Sequence, residues 1–463
     1  MKRIYVTLLG LLGIHLFILS RLQFTAWPEM LSFPYMVDKG FLIYKDFHHV
    51  YQPLLTFILL MYYKFAGFSP ESLKIFTWIS ILIIDLLIFV VSKQLFKNKW
   101  VSLIPLGLYI VFQPLFEGNM MWFDIAMIIP LLLSVYFVSK RPFKNKWQDI
   151  FLSGFFLALA CLIKQQAVLA GLPIFVYLLA KKISFKEFVI FAAGGTIPLL
   201  GLIFLLVLKG DFNDYLFWTF QFPLFWLPEF SGYKILPGKK ELLVIILMMI
   251  SPLPAVLSSI RKKTYDIKTI LIYGVMSTLL VSAFPRFSFF HLQPFLAFFV
   301  IAVVFLISQK NKMFLTFALL ALFYVGLYRY RLILPEFNDV VRFYGNSEIQ
   351  LAQYIVSVTT SNDEIYLLGP NSVIYVYAGR IPPKPWIENY VWHFEVPGLQ
   401  EKVIAGWETN PPKIIFWTPP TPGNWFDLGT YQPKIIFEWI SKNYVHKENT
   451  RSGVEVWYKK GDV

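Results

Sequence analysis

The sequence is poor in cysteine, in charge and in the glycine-rich signatures of nucleotide chemistry, and each shortage closes off a class of protein. Its one cysteine, Cys161, lies inside an apolar run, so no intrachain disulfide can form and cysteine usage says nothing about redox compartment. Only 15% of the 463 residues are charged, against 57% hydrophobic and 19% aromatic, which is more apolar surface than a soluble chain of this length can hide. There is no Walker loop, dinucleotide fingerprint or nucleophile elbow, so a nucleotide-fuelled enzyme is not expected. No internal repeat or low-complexity tract is present. Acids are also scarce, 28 against 42 Lys and Arg, for a formal charge of +14. The basic residues fall in short clusters between hydrophobic runs rather than on one face, which reads as a topology signal and not as a nucleic-acid surface.

Apolar runs long enough to approach a bilayer's thickness are what the chain does have. Candidate spans are 4–20, 73–96, 101–117, 123–139, 150–164, 166–180, 188–208, 241–260, 268–284, 291–309 and 313–330. The N-terminal run resembles a signal peptide, but no small-residue cleavage site follows before Arg21, so it reads as a retained first span. The clusters Lys2/Arg3, Lys97/Lys99, Lys140/Arg141/Lys144/Lys146, Lys181/Lys182/Lys186, Arg261/Lys262/Lys263/Lys268 and Lys310/Lys312 fall at every second connection, and the positive-inside rule puts all of them in the cytoplasm. The expectation is a mainly α, multi-pass cell-membrane protein of about eleven spans, N-terminus cytoplasmic and C-terminus external. The run 53–66 is too short to cross and would flip every later cluster if it did. It is expected to lie on the outer leaflet with its tyrosines at headgroup level.

On this reading residues 1–330 form a membrane domain whose first external loop runs over 21–70. From 331 hydropathy drops and an external α/β module, 331–463, is expected. Strands are predicted in Ser361–Gly369, Val373–Arg380 and Pro412–Trp417, with helices over 347–358 and 432–443. The aromatic stretch 209–240 reads as a longer external loop.

Chemistry-bearing residues collect on the external side. Glu29 and Asp46, in the first loop, are candidate general bases, because burial beside apolar groups raises a carboxyl toward the working range. Against this, Glu29 could merely open a helix after Pro28, and Asp46 could pair with Lys45 or close a turn. Asp38, before Lys39-Gly40, is better explained as a helix end, and Asp85, in mid-span, as hydrogen-bonded to a neighbouring helix. Asp124, at the start of a span near Glu117, is either a charge at a helix N-terminus or a second site carboxylate. Lys164, followed by Gln165 and Gln166, could snorkel to the headgroups or bind a phosphate. Arg286 and His291 could clamp a phosphate leaving group or anchor an aromatic belt. His48 and His49 with Asp46 or Gln52 could hold a divalent metal, but adjacent histidines point apart and no further ligand spacing supports it, so no metal or other cofactor is assigned.

The order of these features is itself informative: a first span, an early acid, Gly-Phe-Leu-Ile-Tyr-Lys-Asp-Phe, Tyr-Gln-Pro-Leu-Leu opening a short helix, Gly-Asn-x-x-Trp-Phe-Asp, Leu-x-Lys-Gln-Gln, then Pro-Arg-Phe before His-Leu-x-Pro. Taken in sequence they resemble the GT-C membrane glycosyltransferases of the dolichyl-phosphate-mannose-protein mannosyltransferase and aminoarabinose-transferase type. The resemblance implies transfer of a sugar with inversion from a polyprenyl-phosphate donor to a glycan, lipid or protein acceptor outside the membrane. Glu29 matches the first-loop acid that acts as base or orients the acceptor, while Lys164, Arg286 and His291 match positions that could hold the lipid phosphate; Asp124 and Gln165 are further substrate-binding candidates. Two departures stand out, since many members have Asp-Glu where this chain has Pro28-Glu29, and Glu where it has Gln52 before Pro53. The first leaves the base open between Glu29 and Asp46. A transporter or flippase of lipid-linked sugars is the rival class, but it predicts mid-membrane charges and two matching halves, and neither pattern is seen. A purely structural membrane protein would leave the first-loop acids unexplained.

Overall fold

A computed structural model describes residues 2–96, 98–140, 146–230, 232–261, 267–308, 312–389, 391–419 and 433–461. Lys97, Arg141, Lys144, Lys262, Lys263 and Lys310 of the basic clusters lie outside the described residues. The chain divides into two compact units, one built from 1–24, 74–204 and 235–340, the other from 25–73, 205–234 and 341–463. Hydropathy alone sets off the C-terminal stretch; the contacts add the first interspan segment and 205–234 to it.

The first unit is helical wherever a span is expected. Lys2–Arg21, Leu103–Leu115, Lys146–Ile163, Phe185–Lys209 and Lys312–Ile333 are continuous, as is Pro70–Leu95, most of which belongs here. Others come in two pieces, such as Phe123–Ala126 with Ile128–Ser139, and Gln165–Ala170 with Gly171–Ala180. Among the described residues five helices are individually long and apolar enough to cross a membrane: Lys2–Arg21, Pro70–Leu95, Lys146–Ile163, Phe185–Lys209 and Leu315–Glu336.

In a lipid-compatible bundle close backbone packing replaces the hydrophobic drive between helices. Gly154 and Gly194 supply it here. A Cβ at Gly154 would overlap the Phe191 carbonyl, and one at Gly194 the Phe151 carbonyl, so Lys146–Ile163 and Phe185–Lys209 meet through small residues. Buried polar side chains add directional links. Asp85 is bonded to His15 Nδ1 at 2.7 Å, and His15 Nε2 lies 3.2 Å from Gln113 Oε1, joining three helices as expected for Asp85. Asn119 donates to the carbonyls of Leu19, Leu22 and Gln23 and accepts from Trp78 Nε1. It therefore closes the end of the first helix, whose last carbonyls have no partner within the helix. Gly118, before it, has no room for a side chain against Gln113.

In the second unit the segment 25–73 carries two helices, Glu29–Asp38 and Leu54–Ala66, tied by a hydrogen bond of 3.1 Å from the Tyr63 hydroxyl to the Met30 carbonyl. The first helix ends at Asp38 with Gly40 at positive φ, as the Asp-Lys-Gly order suggests. The stretch 209–240 is not the open loop expected. It coils as Phe212–Leu216 and then as a π-helical run, Phe217–Trp226, whose Pro223 has no N–H to offer a regular ladder.

A four-stranded sheet organises 341–463. Its order is Ile365–Leu368, Ile414–Trp417, Glu455–Lys459, Tyr444–Asn449; the first pair is parallel, with Ile365 opposite Ile414, and the rest antiparallel. The first two strands are buried at every residue, which the continuous apolar runs Ile-Tyr-Leu-Leu and Ile-Ile-Phe-Trp require. Helices Asn346–Val358 and Lys434–Asn443 form close to where they are expected. Val373–Ala378, predicted as strand, is helix. Its β-branched and aromatic residues favour a strand, but local signals override them: the Asn371 side chain accepts the Val373 N–H, and Gly379 takes the left-handed conformation that ends a helix.

Candidate active site

In the first unit three of the expected residues meet. Asp124 opens the helical stretch after Trp122, Lys164 follows the last residue of Lys146–Ile163, and His291 sits in the turn Phe289–Leu292. Lys164 Nζ lies 2.6 Å from Asp124 Oδ1, and His291 Nδ1 lies 2.8 Å from Asp124 Oδ2. The carboxylate accepts both bonds, so Nδ1 is the protonated nitrogen of the His291 ring. Asp124 is fully buried and Lys164 only 1% exposed, which overturns the snorkelling expectation for the lysine. Its ammonium points to a buried carboxylate, not to a headgroup layer. Gln165 begins the next turn, Gln165–Ala170, and Arg286 is half-buried on the segment leading to His291, its backbone paired with Ile235.

A second polar cluster in this unit escaped sequence reading. Glu117, at φ 56°, accepts from Ser288 Oγ at 2.7 Å and from Arg329 Nη2 at 3.1 Å. Arg329 also donates to the Leu115 carbonyl and lies over the Phe289 ring at 3.5 Å. Within the last hydrophobic run Arg329 looks like a helix-end cation, and only the fold reveals its partners.

The second unit holds the other candidates. Glu29 is the first residue of Glu29–Asp38 and is 4% exposed. Glu388, on the segment after the first sheet strand, is equally buried. Oε2 of each has no hydrogen-bond partner among the described residues. Glu388 Oε1 accepts from the Asn389 N–H at 3.1 Å, and Asn389 is itself fixed to Gly369 and Pro370. Burial first, and then the neighbouring charge of Glu388, pushes Glu29 up to about 8; burial pushes Glu388 up to about 7. Asp46 is differently placed. Its carboxylate accepts from the Leu42 N–H and from Lys384 Nζ, both at 2.8 Å, at a half-exposed position.

The histidines also resolve into different roles. His49 Nδ1 donates to the Tyr51 carbonyl at 2.7 Å and Nε2 accepts from the Thr56 hydroxyl at 3.1 Å, so His49 fastens its loop to the helix Leu54–Ala66. His48 Nε2 lies 2.6 Å from Nδ1 of His393, beside Trp218. Burial holds His49 down to about 4 and His393 down to about 3, and lowers His48 well below its ordinary value, so all three are neutral. Gln52 accepts from the Tyr215 hydroxyl at 3.1 Å. Among the described residues no group of three His, Cys, Asp or Glu side chains is arranged to hold a metal. Glu388, His393 and Arg329 are the residues sequence reading missed; none stands in a motif, and their burial in the fold is the signal.

Residues 50–207 match the family model of dolichyl-phosphate-mannose-protein mannosyltransferase. No protein of curated function matches the chain by sequence. Among solved structures, ArnT from Cupriavidus metallidurans bound to undecaprenyl phosphate is similar with a TM-score of 0.63 at 12% identity, covering 98% of this chain and 97% of that one. The same protein in the apo state gives 0.62 at 12% identity over the same shares. The Archaeoglobus fulgidus oligosaccharyltransferase complex with Zn and sulfate gives 0.50 at 11% identity, over 93% of this chain and 68% of that one. The chain thus has the fold of the GT-C membrane glycosyltransferases over nearly its whole length, and over 50–207 its sequence matches a family of that group.

Proposed function

We propose that the protein is an inverting glycosyltransferase that moves a sugar from a polyprenyl-phosphate donor to a glycan, lipid or protein acceptor on the external face of the cell membrane. One observation carries the reading: the fold is shared from end to end with ArnT, a protein seen bound to undecaprenyl phosphate. In this reaction the acceptor oxygen attacks the anomeric carbon, the bond to the phosphate oxygen breaks, and polyprenyl phosphate leaves with the bonding electron pair. The acceptor's proton passes to a carboxylate. Glu29 has that role, because its buried carboxyl keeps an oxygen open and lies near the working pH range. Asp46 is the weaker candidate, already engaged by Lys384. Lys164, oriented by Asp124 with His291 on the other carboxylate oxygen, supplies positive charge for the departing phosphate, with Arg286 and Gln165 on the adjoining segments. The 331–463 region and the 21–70 segment are placed outside, and the N-terminus inside, on the basic-cluster parity.

The test uses purified protein in lipid nanodiscs with a polyprenyl-phosphate hexose or pentose and a panel of acceptors. Release of polyprenyl phosphate is expected only with a suitable acceptor, and Glu29→Gln is expected to slow it by about 10²- to 10⁴-fold while the melting curve is retained. Full turnover in both Glu29→Gln and Asp46→Asn would sink the assignment of the base. Movement of intact lipid-linked sugar across vesicles, without release, would favour the transporter instead.

A further inference from the structure

Glu388 sits in no sequence motif and far from Glu29 along the chain, yet a short run of hydroxyls leads from the helix that carries Glu29 to the Glu388 carboxyl. Ser32 lies one turn after Glu29 on the same face of the helix Glu29–Asp38. Its hydroxyl is 3.2 Å from the Ser372 hydroxyl, and Ser372 in turn hydrogen-bonds the Glu388 carboxyl. On the other side, the Asn389 N–H and the anchoring of Asn389 to Gly369 and Pro370 hold the Glu388 segment in place. Each carboxyl is at least nine-tenths buried and each retains an unpartnered oxygen among the described residues. A buried carboxyl held by hydrogen bonds on one oxygen and left open on the other is costly unless the open oxygen carries or exchanges a proton.

We infer that Glu388 is a positioning residue for Glu29: the two carboxyls form a proton-sharing pair in which Glu388 gives up its proton first and Glu29, the last to ionise, takes the proton of the acceptor hydroxyl. Like charges forced together in a buried site cannot both ionise cheaply, so the pair loses its protons in two separate steps. Between the steps one carboxylate and one carboxylic acid coexist, and loss of the second proton, from Glu29, gives the working form. The titratable groups around the pair are Tyr63 on Leu54–Ala66, Tyr375 on Val373–Ala378, Tyr366 on the first sheet strand, and His393, whose ring bonds the Glu388 backbone. Arg380 acts on Tyr35, farther along the helix from Glu29. Burial displaces both groups upward, and the Glu388 charge raises Glu29 further.

The activity arm of the test rests on the glycosyltransferase reading; the spectroscopic arm does not. In the first, the pH dependence of polyprenyl-phosphate release is measured for the wild type, Glu388→Gln and Glu388→Asp. Removing the partner's charge should move the rising limb, which reports ionisation of Glu29, to lower pH by about one unit, whereas Glu388→Asp should keep the wild-type limb. A uniform fall in rate with the limb unmoved would show a purely structural role and overturn the proposal. In the second arm, the carbonyl stretch of protonated carboxyls is followed by infrared titration in nanodiscs. Two steps are expected in the wild type, and a single step at lower pH for the remaining carboxyl in Glu29→Gln and in Glu388→Gln. Independent titration of the two groups would end the proposal whatever the transfer assay gives. Coupled titration without any sugar transfer would leave the pair standing and remove the glycosyltransferase reading.

Discussion

Each unit of the molecule buries carboxyl groups, and each deals with them differently. In the first, Asp124 is buried together with its compensating groups, Lys164 at one oxygen and His291 at the other. Glu117 has the same kind of partner in Arg329. In the second, Glu29 and Glu388 are buried beside each other and each keeps an oxygen without a partner among the described residues. A buried acid matched by a cation is a fixed charge; a buried acid matched by another acid holds a proton that can move. On the proposed function, the first cluster would supply electrostatics and the second proton chemistry.

The largest effect that could break this contrast is expected at Lys164. Replacing it by Met leaves the Asp124 charge buried with half its compensation, at a cost of ~3–5 kcal/mol in thermal or denaturant unfolding. The double variant Lys164→Met, Asp124→Asn should recover most of that stability without recovering turnover. If the single change is tolerated without loss, Asp124 is not the fixed charge described here.

Next comes the pH dependence of stability, which the second unit should dominate. Glu29 and Glu388 bind their protons more tightly in the folded protein than an ordinary carboxyl does, so their contribution is fully present below the unfolded value and is lost as pH rises through about 7 and about 8. Melting curves should therefore fall across that window, by at most about 1.4 kcal/mol per pH unit for each proton released. The double variant Glu29→Gln, Glu388→Gln should flatten this fall. An equal slope in the variant would place the titrating groups elsewhere.

The smallest effect is expected at Asp46. Its pair with Lys384 is partly open to solvent, so Asp46→Asn should cost ~1 kcal/mol or less and leave the pH profile of turnover in place. A large loss of turnover with normal stability would return the base to Asp46.

Much of the helical architecture was legible, because the stretches that became helices are long, apolar and bounded by basic or turn residues. The helices over 346–358 and 434–443 and two of the strands were legible for the same kind of reason. Val373–Ala378 was misread because its residue types favour a strand while its ends, Asn371 and Gly379, favour a helix. Asp124, Lys164 and His291 were each visible as unusual polar residues at the edges of apolar runs. Their meeting was not, since the three lie on different elements with no regular spacing. His48 and His49 show the limit clearly: adjacent in the chain, one fastens a loop and the other meets His393 from the far end of the sequence.

By itself the sequence determined that the chain is a helical membrane protein with its ionisable candidate residues gathered in a few short polar segments, because hydropathy and charge act locally and can be read along the chain. Only the tertiary structure decided which acids are matched by cations and which by another acid. That depends on distances between residues far apart in sequence, and a buried carboxyl becomes a fixed charge or a proton carrier according to the neighbour the fold brings to it.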